Sequence, residues 1–126
     1  MNTLVAIAAG GAVGALARHF VAAQVMHQVG GGFPWGILVC NVLGSFIMGV
    51  LVETMALKWS VGPELRAFLT VGVLGAFTTF STFSLDTVLL LQRGVPLAAG
   101  AYVVASVALS VGGLIAGLHL MRGLLT

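Results

Sequence analysis

Four apolar stretches, each long enough to cross a bilayer as a helix, take up almost the whole of this 126-residue chain. A membrane-crossing helix needs roughly 20 predominantly apolar residues, and the stretches at 3–25, 35–57, 64–91 and 95–120 meet that length. The breaks between them carry the punctuation: Gly30-Gly31-Gly32-Phe33-Pro34, then Lys58 to Glu64, then Gln92-Arg93-Gly94-Val95-Pro96. Pro34, Pro63 and Pro96 each sit where a following helix would begin, the position in which proline is tolerated. Only 6% of the residues are charged, against about 25% in a soluble domain, which excludes a water-surrounded fold. The expected fold is therefore an all-α integral membrane protein, a single four-helix transmembrane domain spanning 1–126.

The first stretch has the length of a signal peptide but lacks a basic region ahead of its apolar run, so it is read as a helix. A net charge of +2, thinly scattered, gives no footprint for nucleic acid. One cysteine, Cys40, excludes an intramolecular disulfide framework. His19, His27 and His119 are too dispersed for a metal site, and no nucleophile motif, acid–base pair or phosphate loop is present. The chain is not expected to be an enzyme.

Orientation is nearly undecided by charge. One side of a four-span chain would hold Lys58, Arg66 and Arg122, the other Arg18 and Arg93. Loop lysines and arginines normally set topology; three against two leaves single and dual orientation level. Four short helices fill their own bundle, so a solute path would run at a subunit interface. Gly10 with Gly14 and Gly113 with Gly117 are small-xxx-small pairs suited to close helix contact, within one chain or between two.

Polar groups within the spans need a partner or a purpose. Asn41, inside the second span, is read either as a helix–helix hydrogen bond or as a donor aimed at an anion. Tyr102, Ser106 and Ser110 follow one another at i, i+4, i+8, which puts three hydroxyls in one stripe of the fourth span. In the third span, five of the seven residues from Thr78 to Ser84 are hydroxylic, and Gly72 and Gly75 weaken the turns before them. That pattern predicts a helix interruption near mid-membrane, whose freed backbone must line a cavity or bind an ion. The alternative is a continuous helix with hydroxyls bonded back to their own carbonyls. Phe77, Phe80 and Phe83 recur through this run, and the positive edge of a phenyl ring offers an anion weak contact without a fixed charge. Arg18 is read as snorkelling to the interface or as a positive vestibule. Asp86 is read as a partner for a loop arginine, and Glu53, Glu64, Lys58, Arg66, Arg93 and Arg122 as solvated anchors at span ends.

Taken together, Gly10-Gly11-x-x-Gly14-Ala15-x-x-Arg18, Asn41-x-x-Gly44 and above all Thr78-Thr79-Phe80-Ser81-Thr82-Phe83-Ser84 resemble the bacterial fluoride channels, the Fluc or CrcB family. The resemblance covers all four spans, with Ala76, His19 and Asp86 departing from the common pattern. It implies an antiparallel, dual-topology homodimer in the bacterial inner membrane, with two pores each built from both subunits. It further implies a sodium ion at the dimer interface held by the backbone carbonyls of Gly75 and Thr78. The fluoride pore would be lined by Asn41, Phe80, Phe83, Ser81, Thr82, Tyr102, Ser106 and Ser110, with Arg18 in the vestibule. Transport would be passive, exporting fluoride and lowering its toxicity. Two rivals remain: a small multidrug exporter, which would want a carboxylate deep in the membrane, and a structural membrane protein whose polar groups only pack.

Overall fold

The computed structural model describes residues 2–126 and is all-helical among them, with six α-helices and one π-helical segment. Helix α1 (Thr3–Val29) is capped by the Asn2 side chain, which accepts from the Val5 N–H at 3.3 Å. Gly30 and Gly31, both at positive φ, turn the chain towards α2 (Trp35–Leu57). Pro63 and Pro96 occupy the first turns of α3 (Pro63–Arg66) and α6 (Pro96–Leu125), where a missing N–H costs no helical bond. Between α3 and α4 (Gly75–Phe77) lies a π-helical segment, Ala67–Leu74. Thr78 (φ −92°, ψ 157°) and Thr79 (φ −154°, ψ 127°) are then extended before α5 (Phe80–Gln92) begins.

Among the described residues, four helical stretches are long and apolar enough to cross a membrane: Thr3–Val29, Trp35–Leu57, Pro63–Gln92 and Pro96–Leu125. The outer surface is apolar, with Leu4, Leu16, Leu97, Val104 and Leu124 among the exposed side chains, as suits a surface bathed in lipid. The buried core is small and lies where α2, α5 and α6 meet, around Leu38, Phe83, Leu90, Ala99 and Tyr102.

Helix pairing follows the glycines. Helix α1 lies on the π-helical segment, where a Cβ on Gly10 would strike the Phe68 carbonyl and one on Gly14 the Val73 carbonyl. Helix α6 lies on α2, where Gly117 faces the Phe46 carbonyl and Gly49 the Leu114 carbonyl. Both small-residue pairs thus serve packing within the chain. One anchor reading needs correction. Glu53 is not solvated but buried, accepting from the Arg122 Nε at 2.7 Å, and this pair ties the C-terminal ends of α2 and α6. A carboxylate at that depth requires a cation, and α6 continues far enough past His119 to bring one.

Candidate functional site

The two extended residues between α4 and α5 cost the backbone its regular hydrogen bonds, and α2 supplies replacements. In a continuous helix the Thr79 N–H would donate to the Gly75 carbonyl. Here it donates to Asn41 Oδ1 at 2.8 Å, while Asn41 Nδ2 donates back to the Thr79 carbonyl at 3.1 Å. The primary amide is suited to this because it offers an acceptor and two donors, and one N–H remains after the clip is made. The Thr82 N–H would likewise have donated to the Thr78 carbonyl; it donates instead to Thr79 Oγ1 at 3.2 Å, which caps α5. Two carbonyls, those of Gly75 and Thr78, have therefore had their helical N–H donors diverted. The Thr78 side chain is fixed in turn, its Oγ1 donating to the Leu74 carbonyl at 3.0 Å.

Beside this clip lies an open cleft of about 380 Å³, lined by Asn41, Ser45, Gly75, Thr78, Thr79, Phe80, Phe83, Ser106, Val107, Ser110 and Val111. None of these side chains is charged. Helix α6 contributes Ser106, whose hydroxyl is, among the described residues, the one buried side-chain oxygen or nitrogen without a hydrogen-bond partner. Five other intraspan hydroxyls follow the opposite habit. Those of Thr54, Thr70, Thr78, Ser84 and Thr87 each donate to the carbonyl four residues earlier. The Phe80 and Phe83 rings stand 5.4 Å apart at 49°, with Phe83 buried and Phe80 77% exposed on the open side of the cleft.

The remaining residues singled out from the sequence lie around the cleft rather than in it. Ser81 and Thr82 share the first turn of α5 with Thr79, whose hydroxyl is 3.4 Å from Ser81 Oγ and 3.2 Å from Thr82 Oγ1. Tyr102 is fully buried next to the cleft, its ring 5.2 Å from that of Phe83 and edge-on to Phe33 at 5.5 Å. Its hydroxyl donates to Asp86 Oδ2 at 3.0 Å. Asp86 was expected to meet a loop arginine; Arg93, the nearest along the chain, donates instead to the Gly32 carbonyl, where the 31–34 turn lies over the end of α5. Asp86 and Arg93 nevertheless line a common cleft of about 200 Å³ with Met26, Phe33 and Leu90. Arg18 sits half-buried on α1, outside both clefts, and its carbonyl faces Cys40 Sγ at 3.7 Å. Ser45 and the capping role of Thr79 were not foreseen. Ser45 follows Asn41 by four residues, a spacing that puts both on one face of α2 and could have revealed it.

Comparison with known proteins matches residues 5–118 to the family described as CrcB-like protein, Camphor Resistance (CrcB). A protein of Rhodospirillum centenum named fluoride-specific ion channel FluC is 56% identical over 122 residues, 97% of each chain. One from Chelativorans, also named fluoride-specific ion channel FluC, is 50% identical over 125 residues, 99% of this chain and 100% of its own. A third of that name, from Rhizobium meliloti, is 47% identical over 124 residues, 98% of this chain and 99% of its own.

Proposed function

Because the chain belongs to the CrcB family of multi-pass membrane proteins, we propose that it is a passive fluoride-selective channel and not an enzyme. The observation that carries this reading is the uncharged cleft, which Asn41, Ser45, Ser106 and Ser110 line together with Phe80 and Phe83. Fluoride holds its water tightly, so a path must replace that water with donors without trapping the ion. Neutral donors and the positive edges of phenyl rings meet both demands, since conduction needs binding that permits entry and exit. The unpartnered Ser106 hydroxyl is a donor already desolvated and available. A negative cell interior expels an anion by about 2.3 kcal/mol per 100 mV, enough to lower internal fluoride without a pump.

The cleft is open along one side, and polar groups cannot be left facing hydrocarbon. A second copy of the chain is the cover we propose, in an antiparallel homodimer at the bacterial inner membrane with two pores. The Gly75 and Thr78 carbonyls suit a sodium ion, because their helical N–H donors are diverted to Asn41 and Thr79. Oxygen dipoles of freed helix backbone are appropriate ligands for a hard cation. Two carbonyls from one chain are too few, and the same pair from a second copy completes a cage at the interface. Bound sodium would supply a fixed positive charge that holds the two breaks together. Ser81, Thr82 and Tyr102 would extend the polar path beyond the cleft, and Arg18 would draw anions towards its mouth. The exporter alternative is disfavoured by Asp86 and Glu53, which are engaged with Tyr102 and Arg122.

The test is efflux from liposomes containing purified protein, with fluoride and chloride followed in parallel and internal and external sodium replaced in a second series. Rapid fluoride release without chloride release is expected, falling when sodium is withdrawn. Phe80→Ile and Phe83→Ile should abolish or sharply slow that release while the protein stays folded. Normal rates in both variants would remove the phenyl rings from the mechanism, and silence for both anions in the parent protein would overturn the channel reading.

A further inference from the structure

Asn41 and Gly44 stand three residues apart, on one face of α2, and both meet the break between α4 and α5. Asn41 holds the Thr79 main chain through its two hydrogen bonds. Gly44 is buried opposite Thr78. A Cβ added there would fall onto Thr78 Cγ2 and come within 3.1 Å of Phe77 Cδ2. Phe77 has a ring that can tilt, but Thr78 has little freedom to yield. Its side chain is β-branched and therefore stiff at χ1, and both its hydroxyl and its N–H donate to the Leu74 carbonyl, at 3.0 and 3.1 Å.

We propose that Gly44 is a positioning residue for the conduction path: the socket that receives the Thr78 methyl and so lets Asn41 reach the Thr79 backbone. The inference rests on the channel reading and gives it a further component. Any side chain at position 44 displaces the Thr78–Thr79 backbone, because the Thr78 side chain is tied down. A displacement of that kind lengthens the Asn41–Thr79 bonds beyond useful hydrogen-bond distance. It also moves Thr78, Thr79 and Phe80, which line the cleft. Gly44 differs in this from Gly10, Gly14, Gly49 and Gly117. Those press against main-chain carbonyls of neighbouring helices, so filling them would push whole helices away from each other. At Gly44 the nearest obstacle is a single methyl group that can be deleted by mutation.

That difference makes the proposal testable by rescue. Fluoride efflux from proteoliposomes is compared for the parent protein, Gly44→Ala, Thr78→Ser and the double variant, with monodispersity and helix content checked for each. Serine removes Cγ2 but keeps the hydroxyl that bonds Leu74. Gly44→Ala should slow efflux at least about tenfold, since misplacing a functional group by about 1 Å can cost about a hundredfold. The double variant should recover most of that loss relative to Thr78→Ser, the antagonistic coupling expected of residues in contact. Parent-like efflux in Gly44→Ala, or a double variant as slow as Gly44→Ala, would overturn the socket. If Gly44→Ala fails to fold, recovery of folding in the double variant supports the proposal and its failure overturns it. Amide hydrogen exchange at Thr79 gives a readout independent of transport: protection should fall in Gly44→Ala and return in the double variant. A silent parent protein with this exchange pattern would sink the channel reading and leave the socket standing.

Discussion

Pro63–Gln92 and Pro96–Leu125 are both 30 residues long and both apolar enough to span a membrane, yet only the second is one continuous helix. Glycine content does not explain this. The unbroken α6 holds five glycines (Gly100, Gly112, Gly113, Gly117 and Gly123), and the divided stretch holds two, Gly72 and Gly75. The difference lies in what stands opposite. Facing α6, the α2 backbone comes close at Phe46 and Val50, whose N–H and C=O groups belong to the α2 ladder. Facing Thr78 and Thr79, α2 presents an amide that satisfies a released N–H and C=O together, next to a glycine that makes room. In hydrocarbon an unsatisfied backbone group costs several kcal/mol. A helix therefore opens where a neighbour accepts what is released, not merely where its own residues are poor helix formers.

Removing the neighbour tests that view most severely. Asn41→Ala leaves the Thr79 N–H and carbonyl without partners, at about 1–3 kcal/mol for each buried group. Fluoride efflux should be lost and the thermal midpoint should drop clearly, as read by flux and by a melting assay in detergent. Retention of both would mean that the hydroxyl run opens the helix unaided. Ser106→Ala should have a smaller and divided effect on the unbroken side of the comparison. The variant discards a buried hydroxyl that bonds nothing within the chain, so stability should hold or rise by up to about 1 kcal/mol while efflux slows several-fold. Unaltered efflux would reduce that hydroxyl to packing. Glu53→Gln should matter least. It takes the charge out of the tie between the ends of α2 and α6, far from the break, and leaves Arg122, 57% exposed, to a neutral acceptor and solvent. A modest fall in melting temperature with parent-like efflux is expected; a large loss of efflux would show that the continuous pair α2–α6 also sets the site.

Much of this was legible in the chain. The apolar lengths, the prolines at the helix starts and the scarcity of charge led to four membrane-length helices, because a bilayer accepts little else. The small-xxx-small pairs marked close contacts, although the letters could not say that Gly10 and Gly14 meet the π-helical segment of the same chain. The π-helical turns themselves left no sequence signal that periodicity could detect. For the site, the run from Thr78 to Ser84 located the hydroxyls and rings, and Asn41 and Ser106 were identified one by one.

What the sequence alone determined is the solvent this protein is built for, the number and length of its helices, and a uniformly uncharged middle. Tertiary structure decided which polar groups are engaged and which are free. Asn41 bonds Thr79, Asp86 takes the Tyr102 hydroxyl, Glu53 takes Arg122, and Ser106 bonds nothing. Those outcomes depend on groups far apart in the chain coming within about 3 Å of one another in a medium that offers no water as a substitute. Periodicity along a single helix carries no such distances.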